Sequence, residues 1–564
     1  MQTLENRLAA LRDRAKLLYQ QRLFAESLEA HEEALRLAPD SMVIRLSAAR
    51  LSHALERQEV SLHHYEAAAR VDPRCYEAVE AARRICVGAG FAERALEYAN
   101  MAEELHPSPA ARVSTRLLIP SIMPSREAIR EARERYERGL DAMLADPPRL
   151  ESPGGALGVC AFFLAYHGLN DRELQVKTAR MFLAAIPGLA FTAPHCVGNR
   201  RRGTKIRIGF LSRFFASHSI FSTSIGLIEK LSRERFEVVA LRVLPSRDDA
   251  ATARIRAAAD RTLDLDPDVH RARAQIAALE LDILFYQDIG MEPTSYFLAF
   301  ARLAPVQCVS FGHPNTTGIP NIDYFISNDL FEPPQCHAHY SERLVLLRNL
   351  PTLAYYYKPA LPLNPPVRAA FGVPEDAHLY VCPQTLFKLH PDFDAILGGI
   401  LERDPKGLVI LIAGQFQEFT DRLRARFART LASQAQRILF LSFMPFERFM
   451  QLLCVADVIL DTPHFNGMNS SLQAFAAGTP VVTLPGDFQR GRHTQAMYRK
   501  MGILDCIAVD AQQYVDIAVR IATDPTHGEM LRKRIMSCSH VLFEDRAVID
   551  EFERFFGEAI DHAR

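Results

Sequence analysis

Three prolines, Pro39, Pro73 and Pro107, stand 34 residues apart, and small side chains keep step with them. Ala34, Ala68 and Ala102 lie five residues before each proline, Leu37, Val71 and Leu105 two before, and Ser27, Ser61 and Ala95 form a further register. Such a fixed period is the mark of a repeat unit stacked on copies of itself. Residues 1–112 are therefore predicted to form a helical repeat array. Residues 113–204 keep a helical composition but lose the period, and read as an adaptor without visible chemistry. Within it, ESPGGALGVCAFFLAYHGLN (151–170) predicts a turn and then an apolar helix, and VGNRRRGTK (197–205) an exposed boundary.

The repeat resembles the tetratricopeptide repeat, whose helix pairs cross closely where such small side chains lie and end where proline stops the second helix. From Ile206 the pattern changes to short β-branched and aromatic runs: IRIGFLS (206–212), FEVVALRVL (236–244), LDILFYQD (281–288) and PVQCVSFG (305–312). Helical stretches such as ATARIRAAADR and VHRARAQIAALE separate them, which argues for a parallel, doubly wound sheet. A proline-rich connector, YYYKPALPLNPPV (355–367), precedes a second series: HLYVCPQ (378–384), GLVILIAG (407–414), RILFLSF (437–443), DVILDT (457–462) and PVVTLPG (480–486). Two Rossmann-like domains are thus expected, over 205–365 and over 366–564 with a C-terminal helix. Ligands should bind at the carboxyl ends of their strands.

Composition narrows the function. In 564 residues, 66 basic and 67 acidic side chains nearly cancel, which argues against bulk attraction to nucleic acid or anionic membrane. No run approaches the ~20 apolar residues of a membrane helix, and the charged start MQTLENRLAALRDRAK has no signal-peptide core. The ten cysteines include no CxxC pair, so zinc and redox dithiols are not expected. Isolated thiols fit a reducing cytoplasm. G-x-G-x-x-G after a first strand and G-x-x-x-x-G-K-[ST] are both missing, which points away from dinucleotide dehydrogenases and P-loop enzymes.

Two segments could carry chemistry. In DVILDTPHFNGMNSSLQAFAAGTPVVTLPG (457–486), Asn466 and Gly467 shape a loop, and Asn469, Ser470 and Ser471 supply capping side chains. The N–H groups of the helix start would suit a diphosphate. In CPQTLFKLHP (382–391), Lys388 would project a flexible charge near the same strand ends. With only nine lysines in the chain, its position stands out.

Jointly, FGHPNTTGIPNIDYFISND (311–329), YSERL (340–344), QTLFKLHP (384–391), ADVILDTPHFNG (456–467) and AGTPVVTLPG (477–486) resemble the O-linked N-acetylglucosamine transferase family, glycosyltransferase family 41. That family includes Spindly-type O-fucosyltransferases and bacterial adhesin N-glucosyltransferases. The resemblance implies tetratricopeptide-like repeats followed by a GT-B fold. It also implies inverting, metal-independent transfer of N-acetylglucosamine or another hexose from a nucleotide sugar, UDP-linked, to protein side chains, with no further cofactor. It places Lys388, with Gln384 and Thr385 of the same motif, at the leaving diphosphate, and Gly467, Met468, Asn469 and Ser470 where the family presents Gly-His-Thr-Thr. Phe449 falls where a ring stacks on the base, with Met444 beside it. Phe311, Gly312, His313 and Pro314 match the sugar-facing loop, and His218 the histidine lining the acceptor side. Departures are Gln473 for the acidic residue that grips the ribose, Met468 for a polar side chain, and Phe214 for an aspartate.

Three routes for the acceptor proton stay open: His218, Asp288 at the end of LDILFYQD, or the sugar donor's own diphosphate. The acceptor expected from the short array is one protein, such as an adhesin or flagellin. The competing readings are a repeat scaffold with a degenerate transferase domain, or a transferase that acts on a glycan or lipid or uses GDP-fucose.

Overall fold

The 34-residue period is built as helix pairs. A computed structural model of the chain describes residues 2–55, 57–151, 153, 161–197, 203–364 and 367–563. Gln2–Gln20 pairs with Phe24–Leu37, Met42–Ala54 with Gln58–Val71, and Tyr76–Ala89 with Ala92–Leu105. The second helix of each pair ends two residues before its proline, because the residue preceding proline is driven out of the helical region. Ala34, Ala68 and Ala102 are each at most 1% exposed, so no larger side chain fits there. The serine register does more than stay small: Ser27 Oγ donates to Ala15 O at 2.8 Å, and Ser61 Oγ to Ala49 O at 3.0 Å. Each hydroxyl ties one helix to the backbone of its predecessor. This first compact unit runs to Ser121 and takes in Gln415–Phe419.

The second unit holds the adaptor and both sheets. The adaptor supplies the helices Arg126–Ala145 and Arg172–Ala185. Where an apolar α-helix was expected, Phe162–His167 is a short 3-10 segment, ended by Gly168 at φ 67°. The rest of the turn expected within 151–160, most of the boundary at 197–205, and the domain break at 365–366 lie outside the described residues.

The first sheet has seven parallel strands: β1 (Ile206–Ser212), β2 (Phe236–Val243), β3 (Arg261–Leu265), β4 (Ile283–Tyr286), β5 (Val306–Val309), β6 (Tyr324–Asn328) and β7 (Arg343–Leu347). Their order is β3-β2-β1-β4-β5-β6-β7. The expected strands are all present, and β3, β6 and β7 are additional. β3 is an edge strand in which all residues but Leu265 stay exposed or half-buried, so RTLDL lacks the apolar run that marks its neighbours. The second sheet contains β8 (His378–Cys382), β9 (Gly407–Ile412), β10 (Ile438–Leu441), β11 (Val458–Leu460) and β12 (Val481–Val482), in the order β10-β9-β8-β11-β12.

The C-terminal helix Arg546–His562 leaves the second sheet and packs on the first. Val548, Ile549, Phe552, Phe555, Phe556 and Ala559 recur at helical spacing and join the core of Phe210, Val238 and Phe285. Burying each phenylalanine contributes roughly 1.5–3 kcal/mol, so this helix straps the two sheets into one body. No helix among the described residues is long and apolar enough to cross a membrane.

The repeat register gives a direct test. Ala68→Leu should overpack the crossing and destabilise the array by about 1–3 kcal/mol. Hydrogen exchange in the full-length chain should speed across 42–71 and stay unchanged in strands β1–β12.

Candidate functional site

Each sheet has one place where neighbouring strands send their following loops in opposite directions, and a crevice opens there. In the first sheet it lies between β1 and β4, in the second between β8 and β11. Most of the residues singled out from sequence lie on the loops around these two points, while Met444 and Phe449 follow β10.

In the second sheet the loop after β11 is fixed by Asp461. Its Oδ1 accepts the Gly467 N–H at 2.7 Å, and its Oδ2 accepts the Thr483 hydroxyl at 2.9 Å. Thr462 Oγ donates to Phe465 O at 2.7 Å and Asn466 Nδ2 to Thr462 O at 2.8 Å, which closes a tight turn. At Gly467 the Gln384 and Ser470 side chains come close, and a larger residue would have to displace their hydrogen bond. A Cβ there would lie 2.4 Å from both Gln384 Nε2 and Ser470 Oγ. Burial pushes the Asp461 carboxyl up to about 6, against the opposing pull of its hydrogen bonds and of Lys388.

The loop after β8 meets this turn. Gln384 Nε2 donates to Ser470 Oγ at 2.7 Å. Lys388 Nζ donates to Gln384 Oε1 at 2.9 Å and to Asn466 O at 3.1 Å, above the Phe465 ring at 4.6 Å from its centroid. Two of the three ammonium donors are used, and one is left for a ligand. Burial lowers Lys388 to about 8, with Asp461 opposing.

The helix Asn469–Ala476 starts at this junction, and the expected capping does not occur. Met468 occupies the cap position and offers no side-chain acceptor. Ser470 instead accepts from Gln384, and Ser471 Oγ donates to Gly467 O at 3.1 Å and pairs with Thr494 Oγ1 at 2.8 Å. Asn469 Oδ1 is buried without a partner. With no side-chain cap, the first N–H groups of this helix are open to an anion.

Gln473 on the same helix is half-buried and shares a hydrogen bond with Tyr356 of the connector. Thr385 is exposed, and its carbonyl accepts the Lys388 N–H. Met444 is buried after β10, and Phe449 is half-buried on the helix Phe446–Val455.

On the first sheet, Asp288 is fully buried. Its Oδ2 accepts Ser212 Oγ at 2.9 Å and Arg213 N–H at 2.8 Å, so it clamps the ends of β1 and β4 together. Burial, then the charge of Glu292, raises it to about 7. His218 caps the helix Ser219–Lys230: its Nδ1 accepts the Ile220 N–H at 3.2 Å, and its ring stacks on Phe214 at 4.4 Å. That bond fixes the tautomer with the proton on Nε2, and burial lowers the imidazole to about 4. A Cβ on Gly312 would lie 1.8 Å from Gln287 O, so Phe311–Pro314 passes against the β4 end as only glycine allows. His313 is buried and stacks on Phe162 at 5.0 Å.

The adaptor is not devoid of site residues, as its composition had led us to expect. Tyr166 stacks on Phe465 at 4.6 Å and packs edge-on against Phe387 at 4.8 Å, beside Lys388. Arg490 is buried and donates to Ala165 O, Leu169 O and Asp171 Oδ2 at 2.8, 2.7 and 3.0 Å. Its own carbonyl accepts the Asn466 N–H at 2.7 Å. Asp171 also takes bonds from Arg133 at 2.6 Å and Asn315 at 3.0 Å. Nothing periodic marks these residues. Asp461 was visible at a strand end, but only as part of a motif.

One His/Asp group among the described residues has metal-ligand spacing: His390, Asp392 and His464, with ligand atoms within 4.8 Å of one another. His464 Nε2 donates to Asp392 at 2.8 Å, Arg126 bonds the same carboxylate, and His390 lies at 3.3 Å. Against the upward push of burial, these partners hold Asp392 well below the carboxylate range. The carboxylate is committed to them, and the array braces the turn at Phe465.

Known proteins share this organisation. A model of glycosyl transferase family 41 matches residues 177–353 and 363–551. The Arabidopsis thaliana SEC protein, named as a probable UDP-N-acetylglucosamine–peptide N-acetylglucosaminyltransferase, is 26% identical over 378 residues, covering 65% of this chain and 38% of that protein. The Arabidopsis thaliana SPINDLY protein, named likewise, is 25% identical over 336 residues, covering 58% of this chain and 36% of that protein. The chain thus spans under two fifths of the length of these relatives. A solved mutant O-GlcNAc transferase from Thermobaculum terrenum covers 100% of this chain and 99% of its own, with TM-score 0.68 and 23% identity. It shares the fold: helical repeats followed by the two Rossmann-like domains of GT-B.

The depressed Lys388 would make binding of an anion at this turn pH-dependent. Its folded value of about 8 lies below its ordinary 10.5, so the unfolded chain binds more protons across that window. From this group alone, stability rises between those values while affinity for a diphosphate falls. Calorimetric titration with nucleoside diphosphate should show affinity falling above pH 8, by at most about tenfold per unit, and Lys388→Arg should flatten the fall.

Proposed function

The chain belongs to glycosyl transferase family 41, and from that premise we propose that it moves a hexose from a nucleotide sugar to side chains of an acceptor protein. The observation that carries this reading is the Lys388 ammonium, held by Gln384 and the Asn466 carbonyl beside an uncapped helix start. This is a preorganised field for a leaving diphosphate. UDP-N-acetylglucosamine is the favoured sugar donor and peptide the favoured acceptor, because the relatives' names carry both.

The acceptor heteroatom attacks the anomeric carbon from the face opposite the diphosphate, and the carbon–oxygen bond to phosphate breaks with inversion. Negative charge grows on the leaving oxygen, where Lys388 and the N–H groups at 469–471 receive it without calling on a metal. The base reading favours the diphosphate. His218 keeps its proton on Nε2 because Nδ1 accepts from Ile220, so it acts as a hydrogen-bond donor. Asp288 is sealed in and serves as the strut of the crevice. The acceptor proton then passes to a phosphate oxygen. Three helix pairs offer a short surface, which suits a single acceptor such as an adhesin or flagellin. The free cysteines suit a reducing, cytoplasmic setting.

Gln473 favours a second reading, a scaffold that binds nucleotide without turnover. An amide bonded to Tyr356 grips a ribose diol less firmly than a carboxylate. A panel of UDP-N-acetylglucosamine, UDP-glucose and GDP-fucose, read by intact mass of candidate acceptors, separates the two. Transfer with one sugar, lowered about 10²–10³-fold in Lys388→Ala, is the expected result. Binding without transfer selects the scaffold. Transfer at full rate by Lys388→Ala overturns the site assignment.

A further inference from the structure

A buried histidine beside the diphosphate-facing residues has no place in this mechanism. His493 is 2% exposed, and neither of its ring nitrogens has a hydrogen-bond partner among the described residues. A neutral imidazole brings one N–H donor and one acceptor, and each group left unmet in the interior costs about 1–3 kcal/mol. Burial, then the charge of Lys388, lowers it to about 3, so it stays neutral at any working pH.

Its surroundings place it between the turn at Gly467 and the Phe311–Pro314 loop. His493 opens the helix His493–Met501. The next residue, Thr494, donates its hydroxyl to Ser471 Oγ at 2.8 Å, and Ser471 in turn donates to Gly467 O, so the imidazole adjoins the turn at Gly467. On the other side its ring lies 4.7 Å from that of Phe331 and 6.4 Å from that of Phe311, the first residue of the Phe311–Pro314 loop. Two neighbours repeat the pattern. Gln489 Oε1 and Gln495 Nε2 are also buried and without partners among the described residues.

The chemistry of the unmet groups selects the ligand. Phosphate oxygens only accept, so they would satisfy an N–H, leave the second ring nitrogen bare, and be drawn first to Lys388. A hexose carries several hydroxyls, each of which both donates and accepts. It matches an imidazole in either tautomer, and the amide ends of Gln489 and Gln495 as well. Resting on the nucleotide-sugar reading above, we propose that His493 recognises the hexose of the sugar donor, hydrogen-bonding a ring hydroxyl between Phe311 and the diphosphate turn.

The test compares nucleotide with nucleotide sugar. UDP, GDP, UDP-N-acetylglucosamine, UDP-glucose and GDP-fucose are titrated by calorimetry into the full-length chain and into His493→Phe, His493→Asn and Lys388→Ala. His493→Phe keeps an aromatic ring against Phe311 and Phe331 but has no polar atom, and His493→Asn keeps a donor and an acceptor. The hexose-bearing ligand that binds the wild type should bind His493→Phe about 5–10-fold more weakly, with the parent nucleotide unchanged. His493→Asn should recover part of the loss. In the wild type, the ¹⁵N resonances of the His493 ring should move on adding the nucleotide sugar and stay still with nucleotide alone, a readout that needs no folded variant. Equal loss for nucleotide and nucleotide sugar, or a ring signal that ignores the sugar, overturns the proposal and makes His493 a packing residue. If Lys388→Ala loses nucleotide affinity while the His493 arms fail, the functional reading stands and this inference alone falls. If the wild type binds none of the five ligands, both fall.

Discussion

A buried carboxylate holds the crevice of the second sheet in shape. Asp461 ends β11 and accepts from Gly467 and Thr483, so one side chain fixes where the turn begins and where it rejoins the sheet. Lys388 then finds the Asn466 carbonyl and the Gln384 amide in place, and Gln384 finds Ser470. Each contact depends on the previous one. The carboxylate and the ammonium sit in a common low-dielectric site, so each partly offsets the cost of burying the other. What results is a cation and a helix start, both already oriented before any ligand arrives.

A second clamp extends that order outward. Arg490 supplies the carbonyl that receives Asn466 N–H, and its guanidinium reaches into the adaptor at Ala165, Leu169 and Asp171. Asp171 in turn holds Asn315, one residue beyond the Phe311–Pro314 loop. The crevice of the second sheet, the adaptor and a loop of the first sheet are thus joined through one buried arginine and one buried aspartate. Removing either partner of such a pair strands the other, at about 3–5 kcal/mol. The C-terminal helix adds apolar adhesion to this polar connection, since Phe552 and Phe556 pack against Phe285 of the first sheet.

Much of the fold was legible because its causes are local. Proline spacing marked the helix ends, small residues marked the crossings, and apolar runs marked the central strands. The edge strand β3 escaped because half of RTLDL faces solvent and lacks the apolar signal. Lys388, Gln384 and the 466–471 turn were legible as motifs at strand ends. The capping role expected of Asn469, Ser470 and Ser471 was not realised, because the cap position itself belongs to Met468. His218 and Asp288 were visible as titratable groups after strands. Their charge states follow from burial, with the charge of Glu292 added at Asp288, which only geometry supplies.

The sequence by itself determined the elements: a 34-residue helical period, two alternating sheet series, and polar turns at the strand ends. These depend on neighbours within a few residues, where periodicity and turn chemistry act. Only the tertiary structure decided which of those turns meet and what charge state each group carries. Lys388 and Asn466 lie 78 residues apart, and Arg490 and Ala165 lie 325 apart. Burial and pairing at such separations arise when the chain closes on itself, because desolvation and hydrogen-bond geometry belong to the packed site and not to any segment of it.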